Sequence, residues 1–165
     1  MTHGLRELLA NERHAVLATL SATRAGWPFA SVAPYALSDA GEPLLLLSDL
    51  AEHTRNLRAD PRASLLVQDG ASLDDPQAGC RVTILGQVET VAETEVSTAR
   101  QVYVARHPHA AEYVEMGDFR LYVLRVTEAR FIGGFGDMGW IDAATLREAA
   151  SQGSVGSSRE DADAS

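Results

Sequence analysis

Short apolar runs broken by turn residues dominate the chain, and they exclude most fold classes at once. Residues 81–91 place Val82, Ile84, Gly86 and Val88 on one side and Arg81, Thr83, Gln87 and Glu89 on the other. That period of two marks a strand with one buried face. Similar runs lie at 15–21, 29–37, 44–47, 62–68 and 119–127, and 129–132 makes a seventh. Pro34, inside the second run, marks an edge, a bulge or a break in the ladder. Residues 38–43 combine Ser, Asp, Gly and Pro and read as a hairpin turn. The four consecutive leucines at 44–47 predict burial on both faces. Helical spacing is confined to 4–12, 51–59, 93–106, a short stretch at 110–116, and 142–150. No regular strand–helix–strand rhythm is present, which excludes a doubly wound parallel sheet. The expectation is a mainly β fold with peripheral helices (α+β), built on a six- to seven-stranded antiparallel barrel.

The chain of 165 residues holds one domain. Residues 1–150 form it, and 151–165, an acidic Gly/Ser tail, are expected to stay disordered. All 14 basic residues are arginine, against 23 acidic ones, and the formal net charge is −9. Such a balance argues against nucleic acid and against an anionic membrane surface as partners. One cysteine, Cys80, excludes an intrachain disulfide and a Cys-rich zinc site. No run is long and apolar enough to span a membrane, and the first residues lack the pattern of a signal peptide, so the cytoplasm is the expected location. His107-Pro108-His109 makes a poor chelate, and no metal site is expected. Gly134-x-Gly136-x-x-Gly139 has the spacing of a dinucleotide fingerprint without its βαβ context. It reads instead as a tight turn that permits close approach to a ligand.

The helix at 51–59 carries more chemistry. Leu50, Thr54 and Leu57 recur at helical spacing, so Thr54 shares a buried stripe. Its hydroxyl either bonds back to a nearby carbonyl or helps the helix N-terminus, with His53 and Arg55, hold an anion.

The order of these segments carries a resemblance. Pro28-Phe29-Ala30-Ser31 on the second strand is followed by the hairpin, then by Leu47-Ser48-x-x-Ala51-x-His53-Thr54-x-Asn56-Leu57 and Asp60-Pro61-x-Ala63-Ser64-Leu65. After the long loop come Arg81-Val82-Thr83-Ile84-Leu85-Gly86 and then Arg130-Phe131-Ile132-Gly133-Gly134-Phe135-Gly136. Over roughly residues 5–150 the chain resembles the FMN-binding split barrels of the pyridoxamine 5′-phosphate oxidase superfamily, closest to their haem-utilisation branch.

The resemblance implies a homodimer with FMN at the interface and a flavin-dependent oxidoreductase of unknown small substrate. Haem binding or haem degradation on the same fold, and a non-catalytic flavin-binding module, are its alternatives. Carried over residue by residue, Ser31 and Val32 come from the second strand, and Ser48, His53, Thr54 and Arg55 from the turn and helix that grip the phosphate. Arg81 falls where a polar side chain faces the flavin ring, and Phe131, Gly134 and Phe135 complete the site. No catalytic residue is implied. The oxidases of vitamin B6 carry an arginine and histidine cluster after the Gly-Gly turn. Here residues 135–140 contain no basic group and one aspartate, so oxidation of pyridoxamine phosphate is not expected. The haem branch uses a C-terminal histidine, whereas the last histidine here is His109.

Overall fold

The computed structural model describes residues 2–72, 74–133 and 136–153. In chain order these form α1 (Thr2–Asn11), β1 (His14–Leu20), β2 (Pro28–Leu37), β3 (Pro43–Ser48), α2 (Glu52–Ala59), β4 (Arg62–Gln68), β5 (Cys80–Thr90), α3 (Val96–Arg106), β6 (Phe119–Gly133), β7 (Met138–Asp142) and α4 (Ala143–Gly153). Two short 3₁₀ turns, Gly70–Ser72 and Pro108–Glu112, join them. No helix among the described residues is long and apolar enough to cross a membrane.

All strand pairs are antiparallel. The sheet runs β3-β2-β1-β4-β5-β6, and β3 pairs back onto β6, closing a six-stranded barrel. β7 is an extra strand beside β6. The length of β6 makes this possible: Phe119–Val123 pair with β3, whereas Glu128–Ile132 pair with β7 on the same edge. Pro34 sits where β2 changes partner, since 28–34 pair with β1 and 35–37 with β3. Its missing N–H is therefore not needed by a continuous ladder.

Several expectations shift. The runs at 119–127 and 129–132 are one strand, β6, and the seventh strand is Met138–Asp142, in the segment read as a turn. A bulge misled the pattern. Leu85 lies opposite Glu128 and Gly86 opposite Val126, so Thr127 has no counterpart, and the two-residue period slips there. Gly86 is required at the bulge, because a Cβ on it would lie 2.2 Å from the Arg125 carbonyl oxygen. The stretch read as a short helix at 110–116 is instead the 3₁₀ turn Pro108–Glu112.

The barrel interior holds one core, including Leu17, Leu45, Leu65, Ile84, Leu124 and Phe131. α1 and α4, packed on each other, contribute Leu5, Leu9, Leu146 and Ala149 to it, and α2 contributes Leu57. A second cluster lies outside the barrel, where α3 covers β2, β3 and the first half of β6 through Ala99, Tyr103, Leu44, Leu46, Leu121 and Val123. The four leucines of β3 are thus buried on both faces as their run implies: Leu45 and Leu47 inward, Leu44 and Leu46 under α3.

Candidate functional site

α2 is held by a buried asparagine. Asn56 Nδ2 donates to Thr19 Oγ1 at 3.0 Å, and its Oδ1 accepts the Ala22 N–H at 2.9 Å. These bonds fix α2 against the β1–β2 hairpin and bring its first turn to β2. Ser31 Oγ lies 3.0 Å from His53 Nδ1. Burial holds the His53 imidazole below its ordinary pKa of 6.5, so it is neutral at pH 7. Ala51 occupies the N-cap position and supplies no side-chain cap. The N–H groups of Glu52 and His53, at the positive end of the helix, are therefore not taken by a capping side chain. Together with Ser31 and His53 they form a corner suited to an anion.

The other expected residues divide between this corner and elsewhere. Thr54 is fully buried, and its hydroxyl donates to the Ser48 carbonyl at 2.7 Å. Leu50, expected on the same stripe, precedes the helix and is 72% exposed. Ser48 Oγ donates to Asp118 Oδ2 and accepts the Leu50 N–H. Arg55 turns back on its own helix, donating to Glu52 Oε2 and the Leu50 carbonyl. Val32 points to the opposite face of β2 from Ser31 and is 71% exposed. Arg81 lies on β5, three strands away, and donates to the carbonyls of Pro76, Gln77 and Gly79, tying down that loop. Phe131 is fully buried in the barrel core. Gly134 and Phe135 lie outside the described residues. One chain thus joins Ser31 to His53 and Ser48 to Thr54, and leaves Arg81 and Phe131 apart from them.

A second feature emerges only from the strand register. Val32, Val16, Leu66, Thr83, Arg130 and Trp140 lie side by side across β2-β1-β4-β5-β6-β7 and share the outer face. Val32 and Trp140, at the two ends, are 71% and 58% exposed. None of the six belongs to either buried cluster. Sequence reading missed Val16, Leu66 and Arg130 because no local pattern aligns residues from six strands; the available signal was the alternation within each strand.

Among the described residues no cluster of three or more His, Cys, Asp or Glu side chains is placed to hold a metal ion.

The family described as "CREG, beta-barrel" matches residues 4–148. The non-canonical heme oxygenase HOZ of Arabidopsis thaliana chloroplasts is 32% identical over 130 residues, which are 79% of this chain and 39% of that protein. The solved structure of a heme binding protein from Mycobacterium smegmatis is 35% identical with a TM-score of 0.81, over 89% of this chain and 60% of that one. The chain therefore spans less than two thirds of either relative. A protein of the pyridoxinephosphate oxidase family from Clostridium acetobutylicum shares 9% identity with a TM-score of 0.66, over 88% of this chain and 99% of that one. At that identity the likeness is one of fold, and the fold is the split barrel.

Proposed function

The chain belongs to the CREG β-barrel family, and on that premise we propose that it binds a planar tetrapyrrole of the haem class on the outer face of β2-β1-β4-β5-β6-β7. The row from Val32 to Trp140 carries this reading. Its apolar members, Val32, Val16, Leu66 and Trp140, flank Thr83 and Arg130, its ends are exposed, and an exposed patch of that kind marks a binding surface. The residues fit the group through the apolar side chains of this face, Val16, Val32, Leu66 and Trp140, on which a ring can lie. The identity to two proteins named for haem supports the reading. When bound, the iron would supply any redox step; this chain's residues bind and orient the ring.

One observation favours FMN as the second reading. The Ser31–His53 pair beside the uncapped start of α2 suits a phosphate. A flavin anchored there would run along the edge of β2 that has no strand partner from Pro28 to Ala33. The flavin would then carry any oxidoreductase chemistry. Under either reading a second copy of the chain closes over the outer face, with the ligand between the copies. Pyridoxamine phosphate is not expected as a substrate under either, because residues 135–140 carry no basic side chain for its phosphate.

The absorption spectrum of the purified protein, followed by titration with haemin and with FMN, tests both readings. A Soret band that saturates with haemin supports the first. Flavin binding that weakens in Ser31→Ala and His53→Ala, while riboflavin binding does not, supports the second. Uptake of neither overturns both.

A further inference from the structure

We propose that Arg130 is the carboxylate anchor of the outer face and that Trp140 beside it packs against the ligand's ring. The inference rests on the reading of that face as the seat of a planar, acidic ligand. Six arginines are half-buried: Arg6, Arg81, Arg100, Arg106, Arg130 and Arg147. Five have partners within the chain. Arg81 and Arg106 donate to carbonyls, Arg100 to Glu115, Arg147 to Glu42, and Arg6 is also engaged. Among the described residues Arg130 alone of the six makes no hydrogen bond or ion pair. Its side chain is partly covered and its donors are unengaged, so they are open to an acceptor from outside the chain.

The surroundings state what kind of acceptor. Arg130 lies between Thr83 and Trp140 in register, one strand from the end of the row. On one side the same face carries Glu128 opposite Asp142, which repel an anion. On the other it carries Ile132 opposite Met138, which do not. An acidic ligand therefore approaches from the Ile132–Met138 side, with its ring over Trp140 and a carboxylate against the guanidinium. Arginine binds a carboxylate through two parallel N–H donors, which lysine or glutamine cannot reproduce. A tetrapyrrole with its acidic groups at one edge has the matching shape.

The probes are haemin and haemin dimethyl ester, which keeps the ring and lacks the carboxylates. Each is titrated into wild type, Arg130→Gln, Arg130→Lys and Trp140→Leu by Soret absorbance. Wild type should prefer haemin over the ester by roughly tenfold or more. Arg130→Gln should bind both probes as wild type binds the ester, and Arg130→Lys should keep part of the preference. Trp140→Leu should weaken both probes alike. If wild type and Arg130→Gln show the same preference, Arg130 is not the anchor, while the reading of the face stands. If Arg130→Gln turns a dimer into a monomer in sedimentation, its partner is a carboxylate of the second copy, and the proposal falls. If wild type binds neither probe, the reading of the face fails and this inference with it.

Discussion

His107 is 2% exposed at the corner between α3 and the following 3₁₀ turn. Its Nε2 lies 2.8 Å from the Tyr35 carbonyl, so Nε2 carries the proton of the neutral ring. The ring packs 4.9 Å from Tyr103, with His14 and His109 at 6.4 and 6.0 Å. Burial, with Arg106, His109 and His14 nearby, holds its pKa below 6.5, while the bond to Tyr35 opposes that shift. The unfolded chain therefore binds this proton first as pH falls. Stability is full above 6.5 and declines between there and the lowered native value. At one pH unit below 6.5 the loss from this site is at most about 1.4 kcal/mol. Urea unfolding at pH 7.5 and 5.5 should show a smaller decline in His107→Gln than in wild type; equal declines would remove His107 as the cause. Thr54 gives a second expectation at this scale. Thr54→Val deletes the donor to the Ser48 carbonyl, which keeps the Ala51 N–H. The cost should be about 1 kcal/mol of stability, read in the same urea experiment; a midpoint identical to wild type would mean that the bond contributes nothing. The sequence placed Thr54 on a buried stripe and left its partner open. The partner could not be read, because Ser48 lies outside the helix in a turn whose path only the fold defines.

The segment from Gly41 to Glu42 shows the same limit at the level of elements. Residues 38–43 were legible as a turn, but the turn also reaches two distant elements. Glu42 is 4% exposed and accepts from Arg125 of β6 at 2.7 Å and from Arg147 of α4 at 3.1 Å. It sits where the edge of β6 passes from β3, paired through Val123, to β7, paired from Glu128. The carboxylate thus ties the barrel seam to α4. Gly41 has φ +74, and a Cβ there would lie 2.4 Å from the Arg147 carbonyl oxygen. Both partners of Glu42 are far away in sequence, so no local pattern announces its role. Glu42→Ala leaves two guanidinium groups without their acceptor. Because both arginines remain over 40% exposed and regain water, the expected loss is about 2 kcal/mol, below that of a fully buried pair. Gly41→Ala should also destabilise by pushing α4 away. Urea midpoints check both variants, and unchanged midpoints would mean that α4 is held by its apolar contacts alone.

Across the whole molecule the two outer faces of the barrel differ. α3 covers one with a buried cluster, and the other carries the bare row from Val32 to Trp140. The barrel class was legible because alternation and turn residues act locally. The bare face was not, because it depends on how six strands align, and that alignment is set by the closed barrel and by a bulge at Gly86. The same asymmetry argues for the homodimer. A twofold pairing across the bare face presents each residue twice, and a stable pair buries about 800 Å² per copy. Val32 is the sharpest probe. At 71% exposure it contributes little to the fold of its own chain, so Val32→Asp should leave urea stability within about 0.5 kcal/mol of wild type, provided it is measured below the dimer's dissociation concentration. At an interface it removes two buried valines, each worth about 1.5 kcal/mol or more. Dimer affinity should then fall by roughly a hundredfold or more. Sedimentation at micromolar concentration should give a dimer for wild type and a folded monomer for Val32→Asp. A wild type that stays monomeric would overturn the pairing. A dimer unaffected by the aspartate would place the interface on another face and leave the row from Val32 to Trp140 open to solvent on both copies.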